Sequence, residues 1–193
     1  MQRTIPATRY LGIDNPRHTL HDLQAKRGKT LTNTKIKIVS GTALFIFILD
    51  LATKVWATSA LEGKNSRSII GNFLRLEFAR NTGAAFSSFT GLTVVLTLLA
   101  IGAFVAIILY LPKISHSLWA LGFGSLLGGI SGNLADRLFR APGFMQGGVV
   151  DWISVPNWPL FNVADSFIVT SVALMIFLSW REVPIRTVVS EDE

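Results

Sequence analysis

The sequence predicts a membrane α fold, a four-transmembrane-helix bundle with a small extracytoplasmic β-sheet formed by its outer loops. Half of the 193 residues are hydrophobic and only 16% are charged, too apolar a balance for an ordinary soluble domain of this length. Four apolar runs of similar length follow one another after residue 35. Two longer connections between them, both on one side of the predicted membrane, have the composition of strands.

The runs are Ile36–Ala57 with 22 residues, Gly91–Leu111 with 21, Ser117–Ala135 with 19 and Leu160–Trp180 with 21. A hydrocarbon core needs about 20 helical residues, and the second and third runs carry no charge at all. Lipid cannot hydrogen-bond a bare backbone, so each run is expected as a helix. Trp56, Trp119, Trp158 and Trp180 fall near run ends, where interfacial anchors belong. Residues 1–35 are polar and basic, broken by Pro6, Gly12, Pro16 and Gly28, and are expected as a flexible cytoplasmic tail. The apolar run starts only at Ile36, so it reads as an anchor rather than a cleaved signal. The membrane domain is thus expected over 36–180, with a second cytoplasmic tail over 181–193.

Lysine and arginine set the orientation. The tail through Lys37, the turn with Lys113, and Arg181 with Arg186 hold 11 of the 18 basic residues, against six in the connections 57–90 and 136–159. Both termini are therefore expected inside the cell. In the outer connections, Ile69–Phe78 alternates as a strand would. Gly147–Val155, rich in valine and isoleucine, reads as another. The net charge of +6 in so apolar a chain points to an anionic membrane surface rather than nucleic acid. Cysteine is absent, which excludes disulfides, thiolate zinc sites, a cysteine nucleophile and lipid attachment to the chain itself.

Asp50, Lys54 and Asp165 lie deep inside apolar runs. A charge in a membrane helix costs several kcal/mol, so each is a candidate for function. Asp50 and Lys54 are four apart on one helix face, the spacing of an ion pair, and a structural tie between helix 1 and the bundle accounts for both. Asp165 has no basic neighbour in its own helix. Asp136, followed by Arg137, ends the third run, and Asp151 lies in the second strand-like segment. Three carboxylates therefore gather at the outer face. Two carboxylates forced together share one proton; the ionised member can activate water while the protonated one polarises a carbonyl. Such aspartic-protease chemistry needs no metal or cofactor. The residues alone do not say which two of the three form the pair.

Other chemistries fit less well. Gly129-Ile130-Ser131-Gly132 contains the GxSG of rhomboid-type serine proteases, which need a histidine base on a later helix. The three histidines, His18, His21 and His116, all lie upstream on the predicted inner side. No HExxH-type metal spacing occurs. A channel or transporter is the non-enzymatic alternative, since buried charge also marks ion paths, but no inverted repeat supports a transporter.

Five motifs, taken in order, resemble the bacterial lipoprotein signal peptidase family, also called signal peptidase II. They are Asp50-x-x-x-Lys54; Asn81-Thr-Gly83-Ala84-Ala85-Phe86-Ser87; Gly128-Gly-Ile-Ser-Gly-Asn133-Leu-Ala-Asp136-Arg137; Val149-Val-Asp151; and Phe161-Asn162-Val-Ala164-Asp165-Ser166. With the helix layout they cover about residues 36–180. The resemblance implies an aspartyl endopeptidase that cuts just before a diacylglyceryl-modified cysteine of a prolipoprotein. It implies Asp151 and Asp165 as the catalytic pair and Asp136 as a supporting residue. Asn81, Asn133 and Asn162 are then expected to orient the pair or hold the substrate backbone, and Arg137 to meet either the substrate backbone or Asp136. Gly83, Ala84, Ala85 and Ala164 are small enough for close approach, and Phe86 is expected to pack in the outer sheet. The expected partners are the prolipoprotein and membrane lipids, with the protein a monomer and without a cofactor. The chain departs from the family pattern in its long inner tail, in the 14 residues separating Asp151 from Asp165, and in Trp152, where phenylalanine is frequent. The last two are expected to bear on access to the site.

Overall fold

The computed structural model describes residues 16–83 and 91–186. Contacts divide the chain into Met1–Thr34 and Lys35–Glu193, and the packing below belongs to the second unit. Helices α1 (Pro16–Leu61), α2 (Gly91–Tyr110), α3 (Ser117–Phe139) and α4 (Val163–Trp180) are interleaved with strands β1 (Arg67–Ile70), β2 (Leu74–Asn81) and β3 (Val149–Ser154). Each helix provides a span long and apolar enough to cross a membrane, the first being Asn33–Leu61. Leu99 and Leu109 of α2 and Ile176 of α4 are 64%, 70% and 65% exposed, a cost in water but not in lipid. The chain is a multi-pass membrane protein.

The boundaries differ from the sequence expectation for local reasons. Helix α1 begins at Pro16, upstream of the apolar run. Proline suits a first helical turn, and the leucine, glutamine, alanine, lysine and arginine that follow are good helix formers. Helix α4 starts three residues late, because Asn162 caps it. Helix α3 continues past Ala135 to Phe139, carrying Asp136 and Arg137 on its last turns.

Helix α3 is the axis of the bundle, and its glycines set how closely the others approach. A Cβ at Gly124 would lie 2.8 Å from the Val39 carbonyl oxygen, and one at Gly128 would lie 2.8 Å from that of Ala43. One at Gly132 would collide with the Asp50 carboxylate, and one at Gly129 would lie 2.7 Å from the Ala164 carbonyl oxygen. The i, i+4, i+8 glycines thus receive α1, and Gly129 receives α4, as small residues do between membrane helices. Backbone oxygens cannot step aside. Gly128→Val is therefore expected to lower stability in detergent by about 1–3 kcal/mol or more. Gly102→Ala in α2, with nothing within 4 Å of the added methyl, is expected to be neutral or to stabilise by about 0.5–1 kcal/mol. Thermal unfolding of the two variants checks this, and equal midpoints would contradict the packing.

At the end away from the sheet, the core comprises Val39, Ile107, Ile114, Trp119, Ala120, Leu127 and Leu178. Trp119 is not the interfacial anchor the sequence suggests. It is 4% exposed, and its indole N–H donates to the Val183 carbonyl at 3.0 Å. The C-terminal segment folds back over it, with the Ser115 N–H donating to Ile185. Trp56, Trp158 and Trp180 do face outward.

The sheet is antiparallel in the order β1-β2-β3. The expected single strand Ile69–Phe78 is broken at Gly71-Asn72-Phe73 into a hairpin. Gly71 has φ +48°, a conformation glycine adopts freely, and Gly-Asn is a hairpin turn signal the alternation reading passed over. The sheet seats on the end of α1 through Ala57, Leu61 and Val150, with Leu76, Phe78 and Trp152 around them. Strand β3 lies beside β2 with Asp151 opposite Ala79.

Candidate active site

Asp151 and Asp165 approach each other through the short segment between them. The chain leaves β3, turns at Asn157, and returns to form a bridge between Ile153 and Phe161. The Trp152 and Ile153 N–H groups both donate to the Phe161 carbonyl, at 3.0 and 2.9 Å. The fold-back delivers Asn162 to the side of Asp151. The 14-residue separation is thus what joins the two segments. Trp152 points away from this site, as alternation along a strand requires. Its ring meets Trp56 edge-on at 5.3 Å, so this departure from the family pattern is absorbed by packing.

Helix α4 begins with a capping box. The Asn162 side-chain oxygen accepts the Asp165 N–H at 2.9 Å, and the Asp165 carboxylate accepts the Asn162 N–H at 3.2 Å. This reciprocal arrangement satisfies donors that a helix start leaves open. With its oxygen occupied, Asn162 turns its amide nitrogen toward Asp151, at 2.7 Å from Oδ1, and toward the Asn133 oxygen at 3.1 Å. One fully buried asparagine therefore touches both aspartates.

The other two asparagines follow the same rule. The Asn81 oxygen accepts the Gly83 N–H at 2.9 Å, which leaves its amide nitrogen 2.9 Å from Asp151 Oδ2. Gly83 has φ +106°, a conformation that side chains resist. The Asn133 oxygen accepts from Lys54 Nζ at 2.9 Å, and its amide nitrogen lies 2.7 Å from Asp165 Oδ1. In each case a donor that cannot also accept fixes the oxygen, so the amide N–H groups face a carboxylate. The sequence reading leaves these asparagines undivided between orienting the pair and holding substrate; the geometry places all three on the aspartates. Ala84, Ala85, Phe86 and Ser87 lie outside the described residues.

Beneath the aspartates lies a buried charge cluster centred on Lys54, whose residue exposure is 0%. Its ammonium forms ion pairs with Asp50 at 2.7 Å and Asp136 at 3.0 Å and donates to the Asn133 oxygen at 2.9 Å. Asp50 Oδ1 accepts the Ala164 N–H at 2.9 Å, next to Asp165. Asp136 Oδ2 accepts the Val150 N–H at 3.0 Å, next to Asp151. Asn133 holds Asp165 directly. One lysine thus ties α1 to α3, to the start of α4 and to β3. Asp136 pairs with Lys54 and Arg140, not with Arg137. Arg140 escaped the sequence reading, although its i, i+4 spacing from Asp136 was a usable signal.

Arg137 stands apart. Its charge lies within reach of Asp151, Asp165 and Asp136. Its Nη1 is buried and has no hydrogen-bond partner among the described residues, a costly state for a charged donor. Ser131 of the GxSG sequence returns its hydroxyl to the Leu127 carbonyl at 2.7 Å. His116 caps the opposite end of α3, so neither takes part in a serine-type site.

Asp151 is 2% exposed, and burial pushes its carboxyl up to about 6. The Asp165 charge pushes in the same direction, while the Asn81 and Asn162 amides oppose it. A group poised there can hold a proton near neutrality and release it.

The family model described as signal peptidase (SPase) II matches residues 42–181. The lipoprotein signal peptidase of Rhodococcus jostii (strain RHA1) is 46% identical over 134 residues, 69% of this chain and 68% of that protein. That of Mycobacterium tuberculosis (strain ATCC 25618 / H37Rv) is 45% identical over 145 residues, 75% of this chain and 72% of that protein. A solved bacterial membrane enzyme, determined by the in meso method, superposes with a TM-score of 0.66 at 27% identity, covering 78% of this chain and 94% of that one. The chain belongs to the signal peptidase II family and is an aspartic-type peptidase of the membrane.

Proposed function

We propose that the chain removes signal peptides from diacylglyceryl-modified prolipoproteins, cutting just before the lipid-bearing cysteine with a water activated by Asp151 and Asp165. The observation that carries this reading is the contact of Asn162 with both carboxylates. In the mechanism Asp151 holds the shared proton. Asp165 accepts a proton from water as the oxygen attacks the scissile carbonyl, and Asp151 gives its proton to the carbonyl oxygen. Collapse of the tetrahedral intermediate breaks the C–N bond, and the proton on Asp165 passes to the departing nitrogen. The oxygen's proton returns to Asp151, so the pair ends as it began. The unpartnered Arg137 Nη1 is a donor for a substrate carbonyl.

The sheet end of the bundle faces outward in this reading and both termini lie in the cytoplasm, which follows from the excess of lysine and arginine at the other end. The exposed apolar faces of the helices meet membrane lipid. Asp50, Lys54, Asn81, Asn133, Asp136, Asn162 and Ala164 are supporting residues, and Gly83 fixes Asn81. In this reading the protein acts as a monomer. A detergent-solubilised cleavage assay with matched substrates tests the reading. A diacylglyceryl-modified prolipoprotein is cleaved at the modified cysteine, and the unmodified form is not. Equal cleavage of both would overturn the substrate assignment.

The pH profile tests the shared proton. Below about 6 Asp151 keeps its proton, and the pair loses its last proton as pH rises past that value. The kcat/KM of the free enzyme is expected to fall on the alkaline side with a midpoint near 6, and kcat at a higher pH, because bound substrate excludes water from the pair. Asn81→Ala removes an amide that favours ionised Asp151, so its alkaline limb moves upward. An unmoved or lowered limb would contradict the assignment.

A further inference from the structure

Between α1 and α4, on the far side of the charge cluster from the sheet, lies an apolar cavity of about 530 Å³ floored by α3. Its walls include Gly41, Thr42 and Phe45 on one side, Leu121 beneath, and Phe167 and Leu174 on the other. Phe45 is 63% exposed, so the cavity opens sideways through the bundle surface. Thr170 and Ser171 return their hydroxyls to carbonyls of α4 at 2.7 and 2.8 Å, which leaves Thr42 and Ser125 as small polar side chains in a mainly apolar wall. A methyl added at Gly41 would touch nothing within 4 Å. A glycine inside a helix lowers its stability, and here no side chain or backbone among the described residues uses the space that it leaves.

Depth decides what fits. Phe167 is two residues past Asp165, about 3 Å along the axis, and Leu121 is twelve residues from Asn133 at the level of the pair, about 18 Å. Leu121 is eighteen residues from the sheet end of α3, about 27 Å. A hydrocarbon core is about 30 Å thick. The cavity therefore starts one turn from the aspartates and runs beyond the bilayer midplane. An acyl chain anchored at the sheet end reaches about half that core. A signal peptide that crosses the membrane to present its scissile bond passes the whole depth.

We infer that this groove receives one face of the apolar helix of the signal peptide, holding it as the scissile bond meets Asp151 and Asp165. The inference rests on the proteolytic reading above, and adds a specificity surface to it. The groove reads apolar bulk along a helix face, not an amino-acid sequence.

The test uses Gly41→Trp, which fills the groove from a position with open space, and two diacylglyceryl-modified substrates. One has the whole signal helix and the other only the residues around the modified cysteine. The variant is expected to raise KM for the whole substrate by about tenfold or more with kcat nearly unchanged, and to cleave the short one as the wild type does. Equal loss on both substrates, or no loss on the whole one, would overturn the inference. Wild-type cleavage of the short substrate shows that the protease reading stands whichever way the groove result falls; cleavage of neither substrate by the wild type would sink both. Because the chain has no cysteine, Gly41→Cys gives a second readout. Its disulfide yield is expected to peak with a cysteine placed in the signal helix about nine residues before the scissile bond, the axial distance from Asp50 to Gly41 at about 1.5 Å per residue. A peak instead with a thiol at the end of an acyl chain, or no crosslink to either, would overturn it.

Discussion

Lys54→Met is expected to destabilise the protein by about 3–5 kcal/mol and to remove most activity. The methionine is near in volume but leaves Asp50 and Asp136 buried without their shared cation, and both are almost wholly inaccessible. Breaking one member of such a cluster costs far more than the cluster itself contributes, because the remaining charges keep their desolvation penalty. Arg140 still faces Asp136, so Asp50 bears most of the loss. The double variant Asp50→Leu/Lys54→Met removes that stranded charge and is expected to recover part of the stability. It is not expected to recover activity. The Ala164 N–H loses its acceptor and the Asn133 oxygen loses its donor, and those two bonds position Asp165. Thermal unfolding and cleavage rate, measured on the same preparations, separate the two effects. Full activity in the double variant would reduce the cluster to a stability device.

That cluster also marks where sequence reasoning stopped. The four helices were legible, since uninterrupted apolar length needs no tertiary information. The i, i+4 pairing of Asp50 with Lys54 was legible for the same reason, being local to one helix. That Lys54 also reaches Asp136 and Asn133 depends on how α1 crosses α3. The crossing is set by Gly124, Gly128 and Gly132; the family-like motif holds only the last two, and the four-residue spacing that extends to Gly124 is the signal of a packing stripe. The asparagines were legible as polar groups in a dry site. Their orientations were not, because each depends on a donor from another segment or from the local turn. Alternation alone carries a strand straight through the turn signal at Gly71, so it does not foresee the hairpin. Proximity to a run end does not say whether Trp119 faces lipid or the neighbouring chain, and the structure buries it.

The choice of Asp151 and Asp165 from three carboxylates came from family resemblance, and the geometry supplies a physical reason for it. Asp136 spends its oxygens on Lys54, Arg140 and the Val150 N–H. It is a neutralised anchor with no free role in proton transfer. The acceptor bonds of Asp151 and Asp165 come mainly from neutral amides, which orient a carboxylate without cancelling its charge. An asparagine at either position keeps the shape but can neither accept a proton from water nor exchange one with its partner. Asp151→Asn and Asp165→Asn are therefore each expected to lose activity by about a thousandfold or more, with general acid–base function and the paired geometry failing together. Either change removes one of the carboxylate charges near Arg137 but leaves the other and Asp136, so both variants are expected to stay folded in the membrane.

The most direct test is the initial rate of signal-peptide release from one diacylglyceryl-modified prolipoprotein by purified wild type, Asp151→Asn and Asp165→Asn, with folding checked by thermal unfolding. Release is expected from the wild type and none above background from either folded variant. Release by either at a rate within about tenfold of the wild type would contradict the two-aspartate mechanism.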